Sequence, residues 1–157
     1  MKVNDMKLLV LSDTHRSLGF ACDAIEKERP DAVLHLGDHL TDAEDLSFAC
    51  QEPDFYYVPG NCDWGSFDQP ERLLEFEGVR VLMMHGHTRN VKSSPLAAQY
   101  AAREWGADVL LFGHTHRREL VRGVGTAATV FNPGSLRDGG SYGVITINDA
   151  RCEFSWK

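Results

Sequence analysis

The chain has 157 residues, 43% of them hydrophobic and 25% charged, which suits one globular domain with a sizeable core. Its formal net charge of −7 excludes a non-specific nucleic-acid binder, because an acidic surface does not attract a phosphate backbone. No stretch approaches the roughly 20 apolar residues of a membrane-spanning helix, so no membrane partner is expected.

The opening residues do not read as a signal peptide, because the apolar run Leu8-Leu9-Val10-Leu11 is short and Asp13 follows at once. Residues 7–11 predict a buried strand. Residues 18–29 predict an amphipathic helix with Leu18, Cys22 and Ile25 on one face, ended by Pro30. A strand over 32–36 closes on Gly37-Asp38, a helix follows over 40–50, and a strand over 55–58 stops at Pro59-Gly60. This order predicts parallel pairing with right-handed crossovers. Residues 72–76 and 79–84 flank Glu77-Gly78 as a hairpin. Residues 94–105 predict a helix with Pro95 in its first turn and Gly106 just past its end, followed by a strand over 109–112. Residues 119–121, 127–131, 142–147 and 152–156 read as strands with no helix between them, a closing β-meander. The fold class is therefore α/β, a four-layer α/β/β/α sandwich of two mixed sheets flanked by helices, in a single domain over 1–157. Cys22, Cys50, Cys62 and Cys152 are scattered without a C-x-x-C pair, which predicts free thiols and a cytoplasmic location.

Polar donors recur at the ends of these strands. Asp13-Thr14-His15 follows the first apolar run, and Gly37-Asp38 and Gly60-Asn61-Cys62-Asp63 follow the next two strands. His85-Gly86-His87 and Gly113-His114-Thr115-His116 follow two more. An open α/β sheet builds its site at this carboxyl edge. Carboxylate, imidazole and amide oxygen without thiolate suit manganese, iron, nickel or zinc in a reactive site, and argue against a structural zinc site. Two cations held close together need a shared carboxylate, and Asp38 is the natural candidate. Such a pair activates water and clamps the oxygens of an in-line displacement.

Taken in order, these five motifs resemble the calcineurin-like metallophosphoesterase superfamily. The short chain, Ser12-Asp13-Thr14-His15 and the late Asn132-Pro133-Gly134-Ser135 resemble its small bacterial and archaeal branch. The resemblance covers roughly residues 7–150. It implies that Asp13, His15 and His116 bind one divalent ion, that Asn61, His85 and His114 bind a second, and that Asp38 bridges them. It implies two transition-metal ions, manganese first among them. The reaction implied is hydrolysis of small phosphodiesters or activated phosphomonoesters by a metal-bridging hydroxide. The alternative is a non-catalytic metal-binding scaffold of the same fold; a complete set of seven donors favours the enzyme.

One position departs from larger members, which carry His where this chain has Cys62. A thiol of ordinary pKa near 8.5 is a poor general acid, so esters with good leaving groups are expected to turn over best. Asp63 is a candidate to take part of that role. His87 reads as a loop support or phosphate contact, His35 as structural, and His39 as a loop residue. Arg16, Arg89, Lys92, Arg117 and Arg118 flank the motifs, some as candidate phosphate contacts and most as solvated charges. The stretch 132–135 is either a turn or a brace near the metals. Aromatics such as Tyr56 and Trp64 are candidates for core, substrate wall or a homo-oligomeric interface.

Overall fold

The computed structural model describes residues 5–63, 69–125, 127–137 and 140–157. The first half runs β1 (Met6–Leu11), α1 (Leu18–Glu28), β2 (Ala32–His35), α2 (Leu40–Ala49) and β3 (Asp54–Tyr57). The hairpin β4 (Glu71–Phe76) and β5 (Val79–Met84) follows, then α3 (Leu96–Glu104) and β6 (Val109–Leu111). The chain closes with β7 (Arg118–Val121), β8 (Thr129–Pro133), β9 (Gly143–Asn148) and β10 (Arg151–Trp156). One sheet has the order β10-β9-β1-β2-β3 and the other β4-β5-β6-β8-β7.

Side-chain alternation explains the layers. Successive residues of a strand point to opposite faces. Leu8 and Val10 of β1, Leu34 of β2, Val81 and Met83 of β5 and Leu111 of β6 meet in the core between the sheets. Leu9, Leu11 and Val33 point the other way, onto Ala21, Ala24 and Ile25 of α1 and Leu46 of α2. Leu82, Met84 and Leu110 likewise meet Ala98, Ala101 and Ala102 of α3. Strands buried on both faces read as unbroken apolar runs, which is why β1, β2, β5 and β6 were so plain in the sequence.

The first three strands pair in parallel, as the alternating order requires: Leu8 lies opposite Ala32, and Val33 opposite Phe55. The hairpin closes with Phe76 opposite Val79, its two turn residues both left-handed (Glu77 φ 49°, Gly78 φ 81°). That matches the twist of the flanking strands.

The closing meander is corrected. β7 pairs antiparallel with β8 in the second sheet, whereas β9 and β10 pair in the first sheet, with β9 beside β1. Two features divide the run. The chain turns at Gly134, with φ 80°. Beyond it β9 is apolar on both faces, with Ile145 and Ile147 in the inter-sheet core and Val144 toward the helices. Such a strand belongs in the interior of a covered sheet, and the place beside β1 supplies it.

Candidate metal centre

All five polar motifs follow the C-terminal ends of strands: β1, β2, β3, β5 and β6. The loops there are tightly wound. Asp13, His15, Asp38, His114 and His116 all have left-handed backbones, with φ between 41° and 63°. Such a conformation costs on the order of 1–3 kcal/mol at a non-glycine residue and persists only where surrounding contacts enforce it.

Close backbone contacts do so here. A Cβ on Gly60 would overlap Asp38 Oδ1 and lie 2.5 Å from the Asp38 nitrogen, so the loops after β2 and β3 touch only because residue 60 is glycine. A Cβ on Gly113 would overlap Ser12 Oγ, so the loops after β6 and β1 are joined in the same way. Asp63 ties the second and third loops together. Its carboxylate accepts the backbone N–H of Asp38 (3.0 Å), Gly60 (2.7 Å) and Leu40 (2.6 Å). Asn132 braces the β6 loop, donating to Gly113 O (3.2 Å) and Thr115 Oγ1 (3.0 Å). The Ser135 hydroxyl donates to Asp13 O (3.4 Å). The 132–135 stretch is thus a brace beneath the site as well as a turn.

The seven donors converge. Asp13 Oδ2 accepts from Ser12 Oγ (2.5 Å) and from the His114 N–H (3.3 Å), which leaves Oδ1 facing inward. Asp13 Oδ1 lies 3.1 Å from His116 Nε2, 4.0 Å from His15 Nε2 and 3.9 Å from His85 Nε2. Asp38 Oδ1 accepts the Cys62 N–H (2.9 Å), while Oδ2 stands 3.8 Å from His15 Nε2 and 3.5 Å from His85 Nε2. His85 Nε2 is 3.0 Å from both Asn61 Oδ1 and His114 Nδ1. Asp38 thus sits between two groups, one around Asp13, His15 and His116 and one around Asn61, His85 and His114.

The tautomer of His85 shows what this arrangement lacks. Its Nδ1 faces the carbonyl of Leu36 at 2.8 Å, and a carbonyl only accepts, so Nδ1 carries the proton. Burial drives the ring toward neutrality, to a pKa of about 4, so Nε2 presents a lone pair. That lone pair faces the acceptors Asn61 Oδ1 and Asp38 Oδ2, with His114 Nδ1 at 3.0 Å placed to donate to it. Asp13 Oδ1 and His15 Nε2 are buried with no hydrogen-bond partner among the described residues. Acceptors crowded on acceptors in a low-dielectric pocket repel unless a cation lies between them. Asp13, His15 and His116, and separately Asp13, Asp38 and His85, have ligand atoms within 4.8 Å of one another. These residues fit divalent ions.

The two carboxyl groups respond in opposite directions. Burial lifts the Asp13 carboxyl to about 6, partly offset by the Ser12 hydroxyl and His116, with Asp38 pushing it further up. Burial acts upward on Asp38 too, but His85 and the Cys62 N–H win and hold it below the usual range. His15 and His114 are both lowered, chiefly by burial, with Arg137 contributing at His15 and Lys92 at His114.

Residues 6–150 match the calcineurin-like phosphoesterase superfamily domain. The chain belongs to that superfamily. It is 36% identical over 154 residues to the probable metallophosphoesterase YsnB of Bacillus subtilis (strain 168), covering 92% of this chain and 87% of that one. Among solved structures it resembles a conserved Streptococcus pneumoniae protein assigned as a phosphoesterase, with TM-score 0.77, 21% identity, and 99% and 90% of the two chains covered. It also resembles an archaeal phosphodiesterase, with TM-score 0.72, 21% identity, and 97% and 100% covered. The superfamily implies divalent metal ions.

Other sequence expectations find their places around the calcineurin-like site. Cys62 is exposed, its thiol pushed up by burial of its sulfur and by the neighbouring Asp38 carboxylate. All four cysteines are free. His39 caps α2 in a left-handed conformation and packs edge-on against His15, with ring centroids 4.7 Å apart. The His87 ring lies 5.5 Å from that of His85. Arg16, Arg89 and Arg118 are held by Asp42, Glu71 and Ser141 respectively. Tyr56 packs on the inter-sheet core, edge-on to Phe76. Trp64 lies outside the described residues. No helix among the described residues is long and apolar enough to cross a membrane. Sequence reading assigned no role of their own to Ser12, Thr14 and Asp42, buried polar side chains behind the ligand loops. Their only trace in the sequence is position next to, or one helix along from, a motif.

Proposed function

We propose that the chain is a dinuclear-metal phosphoesterase acting on small phosphodiesters or activated phosphomonoesters. The observation that carries this reading is the pair of buried acceptors with no hydrogen-bond partner among the described residues, Asp13 Oδ1 and His15 Nε2, beside the Asp38 carboxylate. Asp13, His15 and His116 hold one divalent ion, Asn61, His85 and His114 the other, and Asp38 joins them. Manganese heads the candidates, and iron, nickel and zinc are also compatible with this donor set. Bound there, two such ions supply a nucleophile from water at neutral pH and neutralise the phosphate oxygens.

The chain's own residues orient rather than react. Cys62 offers a thiol that stays protonated at neutral pH, and Asp63 has both carboxylate oxygens committed to backbone N–H groups. The Cys62 thiol is engaged with the Asp38 carboxylate, and Asp63 acts by holding Asp38 and Gly60. Lys92 and Arg137, which act electrostatically on opposite ligands, are the cations placed to attract a phosphate. The chain works as a single domain on a small phosphoester, in the cytoplasm, with no membrane or non-specific nucleic-acid partner.

The test is hydrolysis of bis-p-nitrophenyl phosphate and p-nitrophenyl phosphate by chelator-stripped protein reloaded with each metal. Activity restored by metal and absent in Asp38→Asn supports the reading. Inactivity with every metal on both esters sinks it.

A further inference from the structure

Behind the metal loops runs a buried polar chain that touches no ligand atom. The Gly37 N–H donates to His35 Nδ1 at 3.1 Å. His35 Nε2 lies 3.1 Å from Thr14 Oγ1, and Thr14 Oγ1 donates to Asp42 Oδ2 at 2.6 Å. Asp42 also accepts the Arg16 N–H (2.8 Å) and Arg16 Nη1 (3.1 Å). The side chains of Thr14, His35 and Asp42 are 0% exposed.

Every proton in this chain has one possible direction. Gly37 is a donor, so His35 Nδ1 must accept. The Thr14 proton is committed to Asp42, a carboxylate, so Thr14 Oγ1 must accept from His35 Nε2–H. His35 is thereby fixed as the neutral Nε2–H tautomer, and each buried group is satisfied. The chain's two ends lie in different loops. Thr14 stands between Asp13 and His15, and Gly37 directly precedes Asp38. Those loops carry left-handed non-glycine residues at 13, 15, 16, 38 and 39, conformations that need enforcement.

We propose that Thr14, His35 and Asp42 form a positioning relay that locks the Asp13-Thr14-His15 loop to the Gly37-Asp38 loop and so sets the distance between the terminal and bridging carboxylates. The inference rests on the metal reading of the site. Of the other donors, His85 is held by the Leu36 carbonyl, the His114 N–H donates to Asp13 Oδ2, and the loop carrying Asn61 is tied through Gly60 to Asp63. The relay reaches directly the two loops that carry Asp13, His15 and Asp38.

Thr14→Val removes the hydroxyl at nearly constant volume, and Thr14→Ser keeps it. Two readouts separate the relay from a general loss of fold. In metal-free protein, hydrogen exchange of the Gly37 amide should accelerate on the order of tenfold or more in Thr14→Val, while the Leu9 and Leu82 amides hold their rates. In manganese titration, one of the two binding steps should weaken about 10–100-fold in Thr14→Val and return near wild type in Thr14→Ser. If Thr14→Val does not fold, Thr14→Ala removes the same hydroxyl without branching at Cβ, and the same two shifts are expected. Unchanged Gly37 exchange overturns the relay, as does equal weakening in Thr14→Ser, which would assign the effect to packing. Nitrogen NMR finding the His35 proton on Nδ1 overturns it too. Wild-type protein that takes up no ion would refute the metal reading, while the exchange and tautomer measurements still decide the lock between the loops.

Discussion

Replacing Gly60 by alanine should disable the site while leaving the fold intact. The added Cβ would sit 2.5 Å from the Asp38 nitrogen and 3.0 Å from its Cγ, and would overlap Oδ1. Ordinary contact begins at 3.4 Å, so Asp38 must retreat by 3.4 − 2.5, or 0.9 Å, along that line. The obstacle is backbone, and the carboxylate is also held by the Cys62 N–H, so no rotamer change relieves it. A misplacement of about 1 Å in a group that organises the reacting centre costs on the order of 100-fold in rate. The assay is kcat for bis-p-nitrophenyl phosphate at saturating manganese, with circular dichroism to confirm folding. Gly19→Ala is the control. That glycine lies in the first turn of α1 with nothing within 4 Å of its Cβ position, so alanine should raise stability by about 0.5–1 kcal/mol and leave kcat unchanged. A folded Gly60→Ala protein with wild-type kcat and metal affinity would refute the claim that contact between the two loops places Asp38.

Other consequences are open to measurement. Asp13 must lose its proton to hold a cation, and its carboxyl is lifted to about 6, so metal affinity should fall as pH drops through 6 and level off above it. The linkage has the matching sign: a raised carboxyl favours the metal-free fold at low pH and loses that contribution as pH rises through 6, so the gain in Tm on adding manganese should grow across the same interval. A gain independent of pH would contradict it. With Cys62 in place of an acidic imidazole, kcat for aryl phosphodiesters should exceed that for alkyl ones by well over tenfold, since departure then depends on the leaving group's own pKa; equal values would show that some other residue supplies the proton. Tyr142, 8% exposed, donates to Glu28 Oε2 at 3.1 Å, and Glu28 also pairs with Lys7 at 3.3 Å. Tyr142→Phe should cost about 1–2 kcal/mol, seen in urea melts. Burial first, then Glu28, pushes the Tyr142 phenol to about 12, so this contribution is present below pH 10 and lost as pH rises through 12. A urea midpoint equal to wild type at neutral pH would show the bond to be worthless.

Much of the site was legible because ligand chemistry and strand periodicity coincide. β1, β2, β5 and β6 are unbroken apolar runs that mark doubly covered strands, and β3, a half-buried edge strand, is closed by Pro59-Gly60, so the ends of all five could be placed without coordinates. What stayed hidden depends on loop geometry. Asp63 looked like a candidate acid because it neighbours Cys62, but its three backbone partners come from residues brought together only by folding. His35 interrupts an apolar strand and was readable as structural, yet its tie to Thr14 crosses 21 positions. The separation of β8 from β9 escaped because local strand propensity says nothing about which sheet a strand joins. The apolar residues 144, 145 and 147, which fall on both faces of the strand, were the available signal.

The measurement that bears hardest on the paired-metal site is manganese electron paramagnetic resonance on stripped protein given two equivalents of metal. Two ions joined by Asp38 should give a spin-coupled spectrum, and Asp38→Asn should replace it with the signal of isolated manganese. An isolated-ion signal in the wild type at two equivalents, with phosphodiesterase activity at one, would contradict a dinuclear centre.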